Sequence, residues 1–229
     1  MNPVHESHQL HYFVNNADIE VIPQLVSALR ERLEDLNLAP IYGQEFNPVT
    51  SERKDILMLT SVDKTLTIEL PSNEIVITKE GGCQEEFKNL TYRILEGLGQ
   101  LFPFKRGNRI SVLNSKFYSG TTEQYEKLYK SLFTYQQATP FEWDNRIVER
   151  RTLETSQEQI NSISMIRRVE FSSPFINKGV QQDMVVFDLD SNTIYQNTSN
   201  RFGLVDSLRV YEELYQNNSR LTTELQRYF

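Results

Sequence analysis

Asp188 and Asp190 stand in the stretch MVVFDLDSNT, Met184 to Thr193, where four apolar residues run into Asp-Leu-Asp and a threonine follows. Two carboxylates one residue apart at the end of a strand have the spacing of a phosphoryl-transfer centre. There one aspartate attacks phosphorus and the next handles the leaving-group proton. A second chemistry is open to the same pair, because alternate strand positions point the same way and two such carboxylates can share a divalent cation.

The first chemistry makes further demands. Haloacid-dehalogenase-type phosphatases place the nucleophile loop after the first strand of a parallel sheet. Downstream they need a Thr or Ser, a Lys that neutralises phosphate, and an acidic pair for Mg²⁺. Only 39 residues follow Asp190, Lys178 is the last lysine of the chain, and no Asp-Asp pair follows the motif. Ser191-Asn192 also stand where that pattern has a single Gly before Thr. Without a cation, two carboxylates facing a phosphate repel it. The expectation is therefore a strand with Val185, Phe187 and Leu189 on one side and a turn at "DSN". As a calcium site the segment lacks a D-x-[DN]-x-[DN]-G loop with its terminal Glu.

Three other groups could do chemistry. His5, His8 and His11 make up all the histidine. Their spacing of three would align them on a helix for Zn²⁺, but a strand sends His8 and His11 to opposite faces. Cys83 follows Gly81-Gly82 at a helix N-terminus, which favours thiolate, while Glu85 and Glu86 oppose it. Asp55, Glu69 and Lys79 mimic the acidic-plus-lysine pattern of hairpin nucleases at loose spacing. No phosphate-binding glycine loop, dinucleotide fingerprint or G-x-S-x-G elbow is present. These absences point away from a cofactor and away from an enzyme.

The elements that must position these residues follow from periodicity. "HQLHYFV" reads as a first strand, and Ile22 to Leu36 as an amphipathic helix with Pro23 in its first turn. "DILMLTSV", "TLTIEL" and "EIVITKE" read as a hairpin meander, and Cys83 to Phe102 as a second helix. "NRISVLNSKFY" is a strand and "TTEQYEKLYKSLF" a helix capped by Thr121 or Thr122. Three strands follow near 141–155, 159–172 and 182–190, and a last helix starts near Gly203. The order β-α-β-β-β-α occurs twice. The expected fold is α+β with two lobes, 1–104 and 105–229, each an antiparallel β-meander with packed helices.

Composition bounds the rest. The chain has 229 residues, 38% apolar and 24% charged, and a net charge of −7. An acidic balance argues against broad nucleic-acid binding, which needs a concentrated basic face. The local exceptions are Lys105, Arg106 and Arg109 in "FKRGNR", then Arg146, Arg150 and Arg151, then Arg167 and Arg168. The first three are the candidate nucleic-acid contacts. No apolar run reaches the roughly 20 residues that span a bilayer. One cysteine and no visible secretory signal point to the cytoplasm. Tyrosines are abundant: Tyr125 and Tyr129 mark the third helix, and Tyr211, Tyr215, Tyr228 and Phe229 the last. Tyr serves well where one end is buried and the other wet, so Tyr125, Tyr129, Tyr211 and Tyr215 are the candidate partner contacts.

"FKNLTYRILEGLGQLF" leading through "FPFKRGNRISVLNSKFY", together with "DMVVFDLDSN" and "GLVDSLRVYEELYQNNSRLTTEL", resembles a large, sporadically distributed family of uncharacterised prokaryotic proteins. Arg109, Ile110, Asp188 and Asp190 carry the match. Phe117 and Tyr118 match its aromatic position loosely, and Asn114 precedes that position rather than following it. The resemblance implies a two-lobed α+β protein, found in some cases in mobile or defence-related gene clusters, with no assigned chemistry. The expectation is thus a non-enzymatic interaction component of a prokaryotic multi-protein system, such as phage defence, binding a protein partner or a second copy of itself. The competing expectation is a metal-dependent phosphoesterase or nuclease using Asp188 and Asp190.

Overall fold

Alternation of apolar and polar residues makes strands here, and 3.6-residue spacing makes helices, in the order the pattern sets out. The structure, a computed structural model, describes residues 1–46 and 48–228; Phe229 lies outside them. The elements run β1 (Asn2–Phe13), α1 (Pro23–Arg32), β2 (Ala39–Phe46), β3 (Arg53–Thr60), β4 (Leu66–Leu70), β5 (Glu74–Glu80), α2 (Gln84–Leu101), β6 (Arg106–Gly107), β7 (Arg109–Ser119) and α3 (Thr122–Leu132). They continue through β8 (Trp143–Thr152), β9 (Gln159–Phe171), β10 (Gln182–Thr193), β11 (Phe202–Gly203) and α4 (Leu208–Leu225). The protein is α+β, with an antiparallel sheet and four α-helices among the described residues.

Nine strands form one continuous sheet in the order β2-β3-β4-β5-β1-β7-β10-β9-β8. Its midline is the β1–β7 pair, in register from Asn2↔Ser119 to Phe13↔Arg109 with a shift between Pro3 and His5. Residues 1–104 and 105–229 therefore meet along a hydrogen-bonded ladder.

One face of the sheet is covered. Leu10 and Tyr12 of β1, Ile75 and Ile77 of β5, and Ile110 and Val112 of β7 pack under α1, α2 and α4. Phe187 and Leu189 of β10 and Ile166 of β9 pack under α3 and the end of α4. The other face carries a small cluster of Phe117, Met184 and Val186 against Ile176 of the β9–β10 loop. An antiparallel sheet tolerates this asymmetry because its alternate side chains can face water.

Three local features differ from expectation. The turn expected at residues 190–192 is strand, because β10 pairs on both sides through Asn192. β2, APIYGQEF, reads poorly as a strand because Pro40 and Gly43 interrupt it, yet it pairs with β3 from Ala39↔Thr60 to Phe46↔Arg53. The first helix ends at Arg32 rather than Leu36; Glu34–Leu36 forms a short 3₁₀ turn, closed by Asn37 at φ 48°. Gly107 inside "FKRGNR" is fixed by packing, since a Cβ there would lie 2.6 Å from the Phe13 carbonyl oxygen and 2.9 Å from the Tyr12 ring.

Candidate functional site

The aspartate strand is β10, with antiparallel neighbours β7 and β9 on its two sides. That is not the leading strand of a parallel sheet, so the phosphatase scaffold is not the one present. Asp188, Asp190 and Asn192 project to the uncovered face, opposite to Phe187, Leu189 and Ser191. Asp188 accepts hydrogen bonds from Ser115 Oγ at 2.5 Å and Arg167 Nε at 2.8 Å. Asp190 accepts from Ser111 Oγ at 2.8 Å and Asn192 Nδ2 at 3.0 Å. Asn192 Oδ1 in turn accepts from Arg109 Nη2 at 3.1 Å and Asn161 Nδ2 at 3.0 Å. The result is a polar ladder across β7, β10 and β9 in which a guanidinium occupies the cation position beside Asp188. No group of three or more His, Cys, Asp or Glu able to hold a metal occurs among the described residues.

The histidines divide between the two faces. His8 lies on the covered face, fully buried and stacked on Phe87 at 5.5 Å. His5 and His11 lie on the uncovered face, His5 Nε2 at 2.8 Å from Glu80 and His11 Nδ1 at 2.8 Å from Glu74. Asp55 shares the covered-face parity of Leu57, and Lys79 that of Ile77, whereas Glu69 lies opposite Met58 on the uncovered face. That trio is not brought together. Cys83 caps α2 and is exposed, and the Glu86 carboxylate accepts its backbone N–H at 3.0 Å.

The tyrosines offered as contacts are mostly core residues, a correction with a simple cause: their helical spacing is that of the buried stripe. Tyr125 is 1% exposed and Tyr211 0%, and Tyr129 is also buried. Tyr125 donates to the Asp183 carbonyl at 3.2 Å, and burial pushes the Tyr211 phenol above its ordinary range. Tyr215 is half-buried, with its hydroxyl on Glu85 at 2.8 Å and Lys88 over its ring.

The basic trio is also split. Lys105 is buried and donates to the Asn15 carbonyl at 3.0 Å and Asp18 at 2.7 Å. Arg106 faces Asp206 at 3.7 Å, and Arg109 joins the polar ladder while lying over the Phe13 ring. Arg168 pairs with Asp183 at 2.7 Å on the covered face. Arg146 and Arg150 are different. Both are exposed on β8, and neither has a carboxylate within 4 Å among the described residues.

Sequence reading missed a buried polar chain beneath α4. Asn114 Nδ2 donates to His8 Nδ1 at 2.6 Å, and Asn218 Nδ2 donates to Asn114 Oδ1 at 2.7 Å. Ser191 Oγ donates to Asn218 Oδ1 at 2.6 Å, and Asn217 Nδ2 reaches Ser191 and Ser162 at 2.7 and 2.8 Å. The signal was present: Asn218 sits on the stripe Leu214, Asn218, Leu221, Leu225, where an apolar residue belongs.

Because His8 Nδ1 accepts, its Nε2 carries the proton and the ring is neutral. Burial lowers its pKa, opposed in part by Glu6. A base whose folded pKa is depressed binds fewer protons folded than unfolded, so stability is retained above about pH 6.5 and falls as pH drops below that value. Thermal melts from pH 7.5 to 5 are expected to show this decline, with a shallower slope in His8→Gln; equal slopes would assign the decline to other groups.

The charged strand β8 is the other notable surface. It forms one edge of the sheet, and Ile147 on the covered-face side is 55% exposed and Val148 on the uncovered side 45%. From Arg146 to Thr152 every residue is exposed; the strand meets a helix at Trp143, which packs against Tyr129 of α3, and at Glu149, which lies 3.8 Å from Arg220 of α4. A groove of about 300 Å³ lies elsewhere, between β10 and the end of α4; Tyr118, Phe187, Leu189 and Leu225 make it apolar, and its lysine, Lys116, is paired with Glu6 at 2.8 Å.

The fold and surfaces thus define a one-sided antiparallel α+β protein with an edge strand exposed from Arg146 to Thr152. No helix among the described residues is long and apolar enough to cross a membrane. No protein-family model matches the chain, and no curated protein matches it significantly.

Proposed function

We propose that this protein is a non-enzymatic interaction component that docks a protein partner through the β8 edge of its sheet. The setting in a prokaryotic multi-protein system such as phage defence comes from the family resemblance of the sequence. One observation supports the reading above the others: β8 is a ten-residue edge strand that, beyond Trp143 and Asn145, is exposed on both faces from Arg146 to Thr152, with Ile147 and Val148 adjacent. Unpaired edge backbone groups supply affinity for an added strand, and alternating side chains supply selectivity. The opposite edge, β2, carries Pro40, which has no N–H to offer an added strand, and Gly43, which weakens a strand. The division into lobes 1–104 and 105–229 belongs to this reading too. In each half a first strand, β1 or β7, lies at the sheet centre beside the last strand of its own meander, β5 or β10.

The test is Ile147→Lys, which places a charge on the contact without disturbing buried residues. Light scattering of the chain alone, and mixed with proteins encoded by neighbouring genes, is expected to show an association that the substitution weakens about tenfold or more. An association indifferent to Ile147→Lys, or none at all, would overturn the reading.

A further inference from the structure

We infer that the partner of the β8 edge is a second copy of the chain, paired antiparallel about a two-fold axis through Ile147; this rests on the edge-docking reading above. A two-fold axis that joins two like edges antiparallel must stand perpendicular to the sheet. Such an axis keeps each face on its own side, so residues meet partners of their own face and one residue pairs with itself. The registers that overlap most of β8 are those centred on Arg146, Ile147, Val148 and Glu149.

Charge separates these four. Centring on Arg146 puts that arginine against itself, and centring on Val148 sets Arg146 against Arg150 twice. Centring on Glu149 opposes two glutamates. Like charges directly opposite are destabilising. Centring on Ile147 opposes none. It places Asp144 against Arg150 twice and Arg146 against Val148 twice on the uncovered face. On the other face it places Trp143 against Arg151, Asn145 against Glu149, and the two Ile147 side chains against each other on the axis.

The free chain is prepared for this register. Asp144 and Arg150 are both exposed, and neither has an ionic partner among the described residues. Ile147 exposes 55% of its surface at the point where the two copies would meet. A strand guarded only against aggregation would need charge without self-complementarity; β8 carries charges that conflict in three registers and agree in one. Two sheets joined this way form one continuous sheet, with the helices of both copies on the same side.

The experiment uses the full chain and measures dimer dissociation by sedimentation equilibrium. Wild type should give a species of twice the 26.8 kDa chain mass. Asp144→Arg alone and Arg150→Asp alone should each raise the dissociation constant about tenfold or more, because symmetry doubles every loss and adds like-charge contacts. The double variant Asp144→Arg/Arg150→Asp should return to within about threefold of wild type, since the swap restores both pairs. Both positions are exposed, and circular dichroism checks the fold of each variant. A wild-type monomer at every concentration would overturn the second-copy inference, while an Ile147→Lys-sensitive complex with another protein would still uphold edge docking. Single variants without effect, or a swap that fails to rescue, would overturn the register even if Ile147→Lys dissociates the dimer.

Discussion

Asn218→Leu is expected to lower the unfolding free energy by about 3 kcal/mol, read as a reduced midpoint in urea with an unchanged slope. Asn218 is fully buried, and its amide donates to the Asn114 side chain at 2.7 Å and the Val112 carbonyl at 3.0 Å. Its carbonyl accepts from Ser191 at 2.6 Å. Leucine suits the helix better by about half a kcal/mol and matches Leu214 and Leu221 on the same stripe. Against that gain, it leaves the Ser191 O–H without its acceptor, although Asn217 still donates to that oxygen, and the Asn114 carbonyl without its donor, in a place water does not reach, at about 1–3 kcal/mol each. Asn114 is also the group that holds His8, so the loss should couple to that ring. A cycle of Asn218→Leu with His8→Phe is expected to show about 1 kcal/mol of interaction energy, because removing both ends of the chain leaves fewer orphaned groups than removing one. An unchanged or higher stability in the single variant would mean that the network selects the packing of α4 without strengthening it.

Much of the architecture was legible in local pattern. The strand–helix order, the reach of α4 past "NNS", and the divergence of His8 and His11 to opposite faces all follow from periods of 3.6 and 2. The single sheet was not legible, because the β1–β7 pairing joins residues about a hundred positions apart, and nothing in either strand names its neighbour. β2 was hidden by Pro40 and Gly43, which are tolerable there only because an edge strand has one side without pairing. The tyrosines misled for a physical reason. Tyr125 and Tyr129, like Tyr211 and Tyr215, are four apart, and that spacing describes a face without saying which way it turns. Tyr125 was turned inward by the packing of α3 with residues of β9 and β10, and Tyr211 by the main core, where it meets Tyr92 of α2. The arginines of β8 were visible as a cluster, but their meaning depends on the strand lying at the sheet edge.

Asp188→Ala is expected to cost about 2 kcal/mol, and Asp188→Asn about half as much. The Asp188 side chain is 11% exposed, and its carboxylate accepts from a hydroxyl at 2.5 Å and a guanidinium at 2.8 Å. Alanine leaves Ser115 and Arg167 without their acceptor. Arg167 is itself 35% exposed and can turn towards water, which keeps the loss below that of a fully buried ion pair. Asparagine retains an acceptor for one of the two donors. Arg167→Met in the Asp188→Ala background should recover about half of the loss, because the desolvated charge is then absent from both sides. The opposite sign is expected of a catalytic nucleophile. A carboxylate held for reaction is stored against its own stability, so its removal commonly stabilises the fold. Unfolding of the three variants therefore tests the role of the Asp-Leu-Asp strand without any substrate. A loss reversed by Arg167→Met assigns Asp188 to the ladder that binds β7, β10 and β9 together, and a gain in Asp188→Ala would return it to the chemistry its spacing first brings to mind.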